Sequence, residues 1–576
     1  MGKQLLSVPS FTAGELSSRM QGRTDFKKYF SGCTRLENFV VLPHGPVTRR
    51  PGSYYVSPVK TETAKTRLIP FEFSTTQTYI LEFGNQYIRF YKDDGQIESS
   101  GSPYEISSPY LTAELFDIKF AQSADVMYLV HNNHSVRKLS RTGHTSWSLT
   151  ETEFTNGPYL DANTSSTTMA PSATTGSSIT ITASSSTFVS TDVNRLISFS
   201  NGHAKITAFG SATSVTAEVK DDFDNTNAVE DWKLGAWSTT TGFPSCVSFF
   251  EQRLVFASTT NNPQTLYFSK SGDYENFTSG TNADDAMIYT IASNQVNVIE
   301  ALKATRTLIV MTTGGEYSVS SGSSQDAITP TNINIRKQSN YGSAGVDALS
   351  IGNATIFLQR AKRKIRELAY NFDSDGYQAP DMTILAEHIT ESGITQMDYQ
   401  QEPFSIVWCV RTDGVLAGLT YNRLEEVTAW HRHIIGGKSD TGKNIIQQQI
   451  AFTSNSTNVN TTNNTITLSS HGLSTGDPVY YYAASNVIGG LNNSNVYYVI
   501  SVDANTIKLA STSGNATGGT AISLTSAPGS DTTQYIYQGI NIHSDIIFSA
   551  NHGFKTGDVV YYDNTGTSIG GLVENI

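Results

Sequence analysis

Charged side chains are scarce in this sequence of 576 residues. Asp, Glu, Lys and Arg account for 16% of the chain, whereas an ordinary globular domain has about a quarter. Long apolar runs are missing as well. No stretch of about 18 consecutive apolar residues occurs, which predicts that no helix of the chain crosses a membrane. The opening residues, MGKQLLSVPSF, also lack the apolar core of a secretory signal peptide.

Cysteine is almost absent. Cys33, Cys246 and Cys409 lie far apart, and no CxxC pair or Cys/His cluster has the spacing of a zinc site. Three isolated cysteines fit folding in a reducing cytosol, with each thiol packed as a small apolar group. The GxGxxG, Walker A, GxSxG and HExxH motifs do not occur either. We therefore expect no cofactor, no metal and no enzymatic activity.

The residues that replace the missing charges are typical of strands and turns. Ser, Thr, Asn and Gly are abundant, and the chain contains 28 Tyr and 27 Phe, which favour strands. Between Leu68 and Leu139, short apolar runs are separated by turn signals at 84–85, 94–95 and 132–133. Similar pairs of apolar strands recur near residues 243, 350 and 401. This recurrence predicts a mainly β chain with a β-propeller-like core.

A chain of this length should divide into several domains. The composition changes between Thr155 and Trp237, and we expect Trp232 and Trp237 to pack where the chain returns to the propeller core. It changes again after Gly436. The predicted domains are an N-terminal helical and basic docking segment (1–60), two sets of propeller strands (61–154 and 238–436), an inserted small β domain (155–237) and a C-terminal repeat region (437–576).

The C-terminal region contains an internal repeat with an offset of 81 residues. Residues 469–491 match residues 550–572, so that His471 corresponds to His552. Unit one spans about 465–511. Unit two begins at about 546 and stops before the equivalent strands, which predicts that the natural chain continues beyond Ile576. The repeated His-Gly is interpreted as a turn in which glycine supplies a positive φ, with a ligand role as the alternative.

The segment 10–56 combines a helical pattern with a dense set of arginines. Apolar side chains from Asp25 to Val40 follow the spacing of one helix face, and Thr24 is a candidate N-cap. We predict an amphipathic basic helix over this range, kinked or divided at Gly32. The net charge of the whole chain is −12. A local basic patch in an acidic protein favours an acidic protein partner over nucleic acid, with a solvated face as the alternative.

The same segment carries three ordered motifs, FTAGELSSRMxGRxD, YxSGCxxLEN and LPxGPVTRRPG. Together they resemble the opening of the tail nozzle proteins of short-tailed, podovirus-type bacteriophages, also called tail tubular protein B or stabilisation proteins. Stretches at 253–259, 263–274, 363–370 and 413–421 resemble the same family. The resemblance therefore covers about residues 10–437, and it implies a β-propeller core.

The resemblance implies a structural virion protein that forms the distal nozzle ring of the tail, docks on the tail adaptor, closes the DNA channel and conducts DNA during ejection. The implied assembly is a homohexamer in the virion tail, put together in the bacterial cytoplasm. Its implied partners are the adaptor above, tail fibre or spike proteins at the side, and double-stranded DNA that passes without sequence recognition. A host surface receptor is a further candidate. The expected interface residues are Arg19, Arg23, Arg35, Arg49 and Arg50.

Two other function classes stay open. A carbohydrate-binding or carbohydrate-cleaving tail protein is the main alternative, because the tyrosine runs at 480–482 and 561–562 can stack on sugar rings. A soluble propeller hub that binds peptides is the third hypothesis, although no common repeated blade signature occurs.

Four other groups of polar residues are candidates for chemistry. The acid pairs at 284–285 and 425–426 would point to opposite faces of a strand, so we do not expect them to converge on a substrate. His431 and His433 share one face and are interpreted as a surface or interface pair, with metal binding as the alternative. The basic cluster at 361–367 is interpreted as a solvated turn or an inter-subunit salt-bridge site.

Overall fold

The computed structural model describes residues 10–435, 448–541 and 546–547, apart from positions 55, 62, 294, 324–325, 374, 484, 494, 529–532 and 539. The chain divides into two compact units, Met1–Ile435 and Gly436–Ile576. The division falls beside the change of composition at Gly436. Unit two of the predicted repeat, with His552 and the tyrosines at 561–562, lies outside the described residues.

The first unit is a β-propeller. Among its described residues, six blades of four main antiparallel strands follow one another along the chain, and paired main strands are consecutive in sequence except at the last strand of blade 1. Radial repetition of such four-stranded sheets defines a propeller. The predicted mainly β, propeller-like fold is therefore confirmed, and the blade count is six.

The strand bounds of the blades are as follows. Blade 1 contains Arg67–Ser74, Gln77–Gly84, Tyr87–Lys92 and Glu105–Ser107, with short strands at Gly95–Gln96, Glu98–Ser99 and Ser102–Pro103; blade 2 contains Lys119–Ser123, Val126–His131, His134–Gly143 and Ser146–Glu151; blade 3 contains Cys246–Phe250, Arg253–Ala257, Thr265–Phe268 and Met287–Thr290. Blade 4 contains Ile299–Ala304, Leu308–Thr312, Gly315–Ser320 and Asn334–Ser339; blade 5 contains Leu349–Ile351, Ala354–Leu358, Ile365–Asn371 and Gly376–Gln378; blade 6 contains Ile394–Gln400, Ile406–Arg411, Leu416–Asn422 and Val427–His433.

The sequence pattern of each strand follows from its place in a blade. Second strands such as Arg253–Ala257 and Leu308–Thr312 are buried along their whole length, because neighbouring blades cover both of their faces. The hairpin signals are confirmed: Asp93 and Asp94 adopt positive φ values of 51° and 58°, as a tight turn requires. Apolar clusters fill the space between successive blades, for example Ala301 and Met311 of blade 4 against Phe357 of blade 5.

The N-terminal segment extends blade 6 outwards. Strand Gly14–Glu15 runs parallel to the last strand of blade 6, and Gly32–Cys33 runs parallel to Gly14–Glu15. A hairpin of Phe39–Val41 and Val47–Arg49 then packs on the same blade. The outer edge of the last blade is therefore covered by the beginning of the chain, which protects its unpaired backbone groups.

The predicted helix over Asp25–Val40 is wrong. The described structure has a 3-10 helix at Lys27–Ser31, with another at Ser18–Met20, and the chain then continues as strands. Thr24 caps neither helix, and Phe30, on the predicted apolar face, is 60% exposed. The physical reason is tertiary: Gly32 is extended and lies so close to Leu16 that a Cβ would sit 2.4 Å from the leucine Cδ1. Pairing with the free edge of blade 6 outweighs the weak helical preference.

A small sheet interrupts the propeller between blades 2 and 3. Its strands are Met169–Pro171, Ile179–Ala183, Leu196–Phe199, Gly202–Ser211, Ser214–Asp221 and Trp232–Leu234, with a 3-10 helix at Ser190–Asp192. The sheet has its own apolar core, against which Trp232 packs. Trp237 packs instead with Phe154 and Phe256 in the core between blades 2 and 3. The two tryptophans therefore belong to different cores.

The second unit contains one large sheet among its described residues. In spatial order its strands are Gln448–Thr453, Thr533–Gln538, Pro478–Ala483, Asn495–Asp503, Thr506–Ala510, Thr465–Thr467 and Val459–Asn460. A short α-helix at Ser513–Thr517 begins at the N-cap Thr512, whose side chain accepts the Asn515 N–H. A further short pair joins Ile540–Asn541 and Ile546–Ile547.

Candidate functional site

The N-terminal segment is fastened to the propeller by a buried carboxylate. Glu15 is fully buried, and its oxygens accept the Leu36 N–H at 2.8 Å and bonds from His388 at 2.8 Å and Arg432 at 2.7 Å. Burial alone would raise the pKa of Glu15, but the hydrogen bonds from His388 and Leu36 and the charge of Arg432 outweigh it and lower this pKa. The carboxylate is therefore ionised at neutral pH and holds three parts of the chain together.

The five predicted interface arginines do not converge on one site. Arg19 pairs with Glu387 at 2.6 Å, Arg23 with Asp25 at 2.8 Å and Arg35 with Glu37 at 2.6 Å. The first two pairs are exposed, add little stability and can exchange partners, whereas Glu37 keeps only 16% of its side chain exposed. Arg50 is half-buried and donates to the Pro51 carbonyl, whereas Arg49 is exposed at the end of strand Val47–Arg49.

Large aromatic side chains of the same segment are exposed. Phe30, Phe39 and Tyr54 are 60%, 42% and 79% exposed, and Phe39 is the cross-strand partner of Arg49. Aromatic residues and arginine are the residue types enriched in protein interfaces. The N-terminal segment therefore buries apolar residues and one carboxylate against blade 6 and leaves aromatic and basic residues exposed.

A central cavity of 390 Å³ runs between the inner strands of all six blades. Every blade contributes to the lining of the cavity through its inner strand, with Arg67, Lys119, Val247, Lys303, Leu349 and Met397 as one residue from each. A DNA duplex, whose major groove alone is about 12 Å wide, does not fit in this volume. The central cavity of one propeller is therefore too small for duplex DNA.

Two charged side chains that line this cavity, Arg67 and Lys119, are bonded to the protein around them. Arg67 donates to the Leu115 and Ile118 carbonyls and lies 3.7 Å from Asp347. Burial lowers the pKa of Arg67. Lys119 is buried and donates to the Cys246 thiol at 3.6 Å. The Lys119 bond links the inner strands of blades 2 and 3, and Arg67 joins blade 1 to the segments that precede blades 2 and 5.

The interpretation of His431 and His433 as a surface pair is wrong. Both are fully buried in the last strand of blade 6. His431 Nδ1 lies 2.6 Å from His433 Nε2, and His431 Nε2 lies 3.1 Å from the Thr420 hydroxyl, which donates to the Val41 carbonyl. The reason is that the N-terminal hairpin covers this face of blade 6, a contact between residues almost 400 positions apart that the local pattern does not contain.

The acidic pairs and the basic cluster have structural surroundings. Lys270 lies 3.3 Å from both Asp284 and Asp285, and Glu426 sits in a turn with a positive φ of 54°. The basic cluster begins at a hairpin turn after strand Ala354–Leu358, as predicted, but Arg366 and Glu367 lie in the next strand and are buried, so the interpretation as a solvated turn is wrong for them. Arg363 pairs with Glu391, Lys364 pairs with Asp381, and Arg366 lies over the ring of Tyr341.

In the second unit, the described part of the repeat uses its polar residues for turns. His471 is buried, accepts the Leu473 N–H at 2.9 Å through Nδ1 and contacts the Asp503 carbonyl through Nε2 at 2.8 Å. Gly472 has a φ of +62°, in agreement with the turn interpretation. Tyr480 and Tyr481 are fully buried, so these two tyrosines cannot stack on a sugar.

Three residues that the sequence interpretation missed lie together at the junction of blades 1 and 2. Glu114, His131 and His134 each place one possible ligand atom within 4.8 Å of the others. The signal was the HNNH sequence around a predicted two-residue turn, since a hairpin places the two histidines opposite each other. Glu114 could not be found in this way, because it lies 20 positions before His134.

A cleft of 370 Å³ separates blade 2 from the inserted sheet. Phe154, Trp237 and Phe243 contribute aromatic surface, and Glu151 and Glu153 contribute carboxylates. The buried Trp237 Nε1 has no hydrogen-bond partner among the described atoms. The cleft therefore combines an aromatic wall, acidic groups and an unused donor.

No family model and no curated protein matches the chain. Solved structures to which it is similar include the Neurospora crassa Pan2 WD40 domain, at 6% identity over 56% of this chain and 79% of that one, with a TM-score of 0.25. The β-propeller domain of Myceliophteria thermophila Cps50 (Swd1) matches at 7% identity over 58% and 90%, with a TM-score of 0.27. Apo AztD from Citrobacter koseri matches at 8% over 80% and 98%, with a TM-score of 0.28. Within the described part of the chain, no helix is long and apolar enough to span a membrane.

Proposed function

We propose that this chain is a structural, non-enzymatic virion protein, the subunit of a nozzle ring at the distal end of a short phage tail. The observation that carries the proposal is the outer surface of the N-terminal segment. There, Arg49 and the aromatic side chain of Phe39 are exposed on a hairpin that itself packs on blade 6, and Tyr54 is exposed in the irregular stretch that follows. A rigid base with exposed aromatic and arginine residues is the composition of an interface core.

The proposed ring would contain six head-to-tail copies, dock on an adaptor ring, and close and later conduct the DNA channel. Because a duplex does not fit in the central cavity of one propeller, the DNA channel of the proposed ring would lie between copies. In a cyclic ring, two different faces of each subunit must match. Arg19 and Arg23 would exchange their exposed intramolecular partners for acidic groups of a neighbour or of the adaptor, and Arg35 would keep Glu37 while contacting the same surface.

Electron microscopy of the assembled particle tests the proposal through its rotational symmetry. A six-fold ring with an axial channel is the expected result, whereas a three-fold spike or an isolated monomer would contradict it. Arg49→Ala should weaken assembly without changing the unfolding temperature. Arg336→Ala is the matched control, since Arg336 is also an exposed arginine on an outer strand, in blade 4.

A second candidate function, a carbohydrate-binding or carbohydrate-cleaving tail protein, is favoured by one observation. The cleft between blade 2 and the inserted sheet is lined by aromatic side chains and by the carboxylates of Glu151 and Glu153. Incubation with polysaccharide of the host bacterium, followed by an assay for new reducing ends, tests cleavage. Glu153→Gln should abolish it. Absence of both new reducing ends and of bound polysaccharide would exclude this candidate.

A further inference from the structure

His131 and His134 face each other across the hairpin of blade 2. His131 ends strand Val126–His131, His134 begins strand His134–Gly143, and the register pairs the two residues directly. Side chains of a cross-strand pair project from the same face of a sheet. The two imidazole rings accordingly lie side by side, with their centroids 5.2 Å apart.

A carboxylate reaches the same place from the segment between blades 1 and 2. One oxygen of Glu114 lies 2.9 Å from His134 Nε2 and accepts the Leu111 N–H at 2.9 Å. The segment is anchored to a turn of blade 1, where the Thr112 N–H donates to Asn85 at 3.2 Å. Glu114 is therefore positioned by its own backbone and by blade 1, independently of the two histidines.

The surroundings of these three groups form a half-closed site. The ring of Tyr110 packs edge-on against both imidazoles, at 6.3 Å and 5.1 Å, and forms an apolar wall. Glu114 and His134 keep 16% and 21% of their side chains exposed, which leaves an entry path.

We propose that Glu114, His131 and His134 bind a first-row transition metal ion, of which Zn²⁺ fits best. Two imidazoles and one carboxylate are a common set of three protein ligands for zinc, with water in the fourth position. Nitrogen donors do not suit Mg²⁺ or Ca²⁺, which prefer oxygen. The proposal does not depend on the proposed nozzle function.

Binding requires only small movements. Zinc bonds of about 2.0–2.1 Å place tetrahedral ligand atoms roughly 3.4 Å apart, so the Glu114 and His134 atoms must separate slightly from 2.9 Å. In the metal-free chain, His131 Nδ1 accepts the Asn133 N–H at 3.2 Å. Coordination through Nε2 moves the proton of each imidazole to Nδ1, which breaks this long bond of His131 and replaces the hydrogen bond between His134 and Glu114 with two bonds to the metal. The bound ion would then fasten the segment after blade 1 to the turn of blade 2.

The test uses the full chain after treatment with EDTA. Titration with ZnCl₂ in a calorimeter should show saturable binding of one ion per chain, and CoCl₂ should give the visible absorption of tetrahedral Co²⁺. His134→Gln and Glu114→Gln should each weaken binding by about 100-fold or more, since even groups behind the ligands contribute 10–100-fold. His44→Gln, at an exposed histidine, should bind as the unchanged chain does.

Two outcomes would overturn the proposal: no saturable binding by the unchanged chain, or equal binding by the Glu114→Gln variant. Glutamine at 114 keeps an acceptor for the Leu111 N–H, so this variant should retain its fold, as circular dichroism can verify. If His134→Gln unfolds, the Glu114→Gln titration decides alone. MgCl₂ added in excess should neither bind nor displace Co²⁺.

Discussion

Glu15 Oε1 lies 2.7 Å from Nη2 of Arg432, and this ion pair joins the beginning of the chain to the last strand of blade 6. The same carboxylate accepts the N–H of Leu36, which lies between strands Gly32–Cys33 and Phe39–Val41. Both Glu15 and Leu36 lie within the motifs that resemble the nozzle family. The residues that carry the resemblance therefore include those that attach the N-terminal segment.

We expect Glu15→Gln to destabilise this attachment by about 3 kcal/mol, because removal of one partner leaves Arg432 without its buried counter-charge. The measurement is hydrogen exchange of the peptides that cover residues 10–40, which gives the free energy of local opening. Glu98→Gln, at an exposed position, is the control and should leave the exchange unchanged. Equal exchange in both variants would show that the ion pair does not hold the segment.

The pH dependence of the same attachment has a defined sign. The pKa of Glu15 is lower in the folded chain than its ordinary value of 4.5, so the unfolded state binds the proton more readily. The stabilisation is complete above that value and is lost as the pH falls through the folded pKa. The difference in the free energy of local opening between the unchanged chain and Glu15→Gln should therefore become smaller in acid and stay constant from pH 6 to 8. A difference that grows in acid would contradict this.

Gly14 provides a second test of the attachment. Its φ is +64°, and a Cβ there would lie 2.4 Å from the Trp430 nitrogen. Gly14→Ala should therefore weaken the strand pairing by about 3 kcal/mol or more, from overpacking and backbone strain together. Faster hydrogen exchange at Leu16, whose N–H donates to Cys33, is the expected signal.

Gly22 is the matched control for this substitution. It has a φ of +75° but nothing within 4 Å of an added Cβ. Gly22→Ala therefore carries only the backbone strain, about 1 kcal/mol. If the two alanine variants behave alike, the close approach of Gly14 to Trp430 contributes nothing.

Patterns local in the sequence predicted the blades and their turns well. The hairpin turns before Tyr87 and His134 lie where two-residue signals occur, because their geometry depends on a few adjacent residues. The same reasoning failed between Asp25 and Val40. There the structure depends on an unpaired strand at the end of blade 6, which lies about 400 residues further along the chain.

In the candidate sites, too, contacts between residues close in sequence could be predicted and contacts between distant residues could not. His131 and His134 are paired by a turn that the sequence indicates, but Glu114 joins them only through the connection between two blades. His431 and His433 were correctly expected on one face of a strand. Their burial could not be expected, because it comes from a hairpin at the opposite end of the chain.

Tyr481 is the central polar residue of the second unit. Its hydroxyl donates to Gln534 and accepts the Ile488 N–H at 2.9 Å, and all of these groups are buried. Tyr481→Phe leaves a buried amide oxygen and a buried N–H unsatisfied, which should cost about 2 kcal/mol. Hydrogen exchange of the peptides 478–483 and 495–510 measures the loss. Tyr498→Phe, at a half-buried position on the neighbouring strand, should change it little, and an equal effect of both would refute the assignment.

The buried histidines of blade 6 should make the propeller sensitive to mild acid. The Thr420 hydroxyl donates to the Val41 carbonyl, so His431 Nε2 must donate to Thr420 and His431 Nδ1 must accept from His433 Nε2. This leaves the buried His433 Nδ1 without a partner among the described atoms. Burial, assisted by the charge of Arg50, lowers the pKa of His433 to about 4.

The sign of this effect follows from linkage. Between the ordinary histidine pKa of 6.5 and the folded value of about 4, the unfolded state binds a proton that the folded state excludes. Stability must therefore fall as the pH drops through this window, by on the order of 2 kcal/mol for His433. His433→Phe keeps a buried ring and removes the titration, so its unfolding free energy should depend less on pH from 6.5 to 4. Urea denaturation at a series of pH values measures this, and a pH profile identical to that of the unchanged chain would show that His433 is not the group responsible.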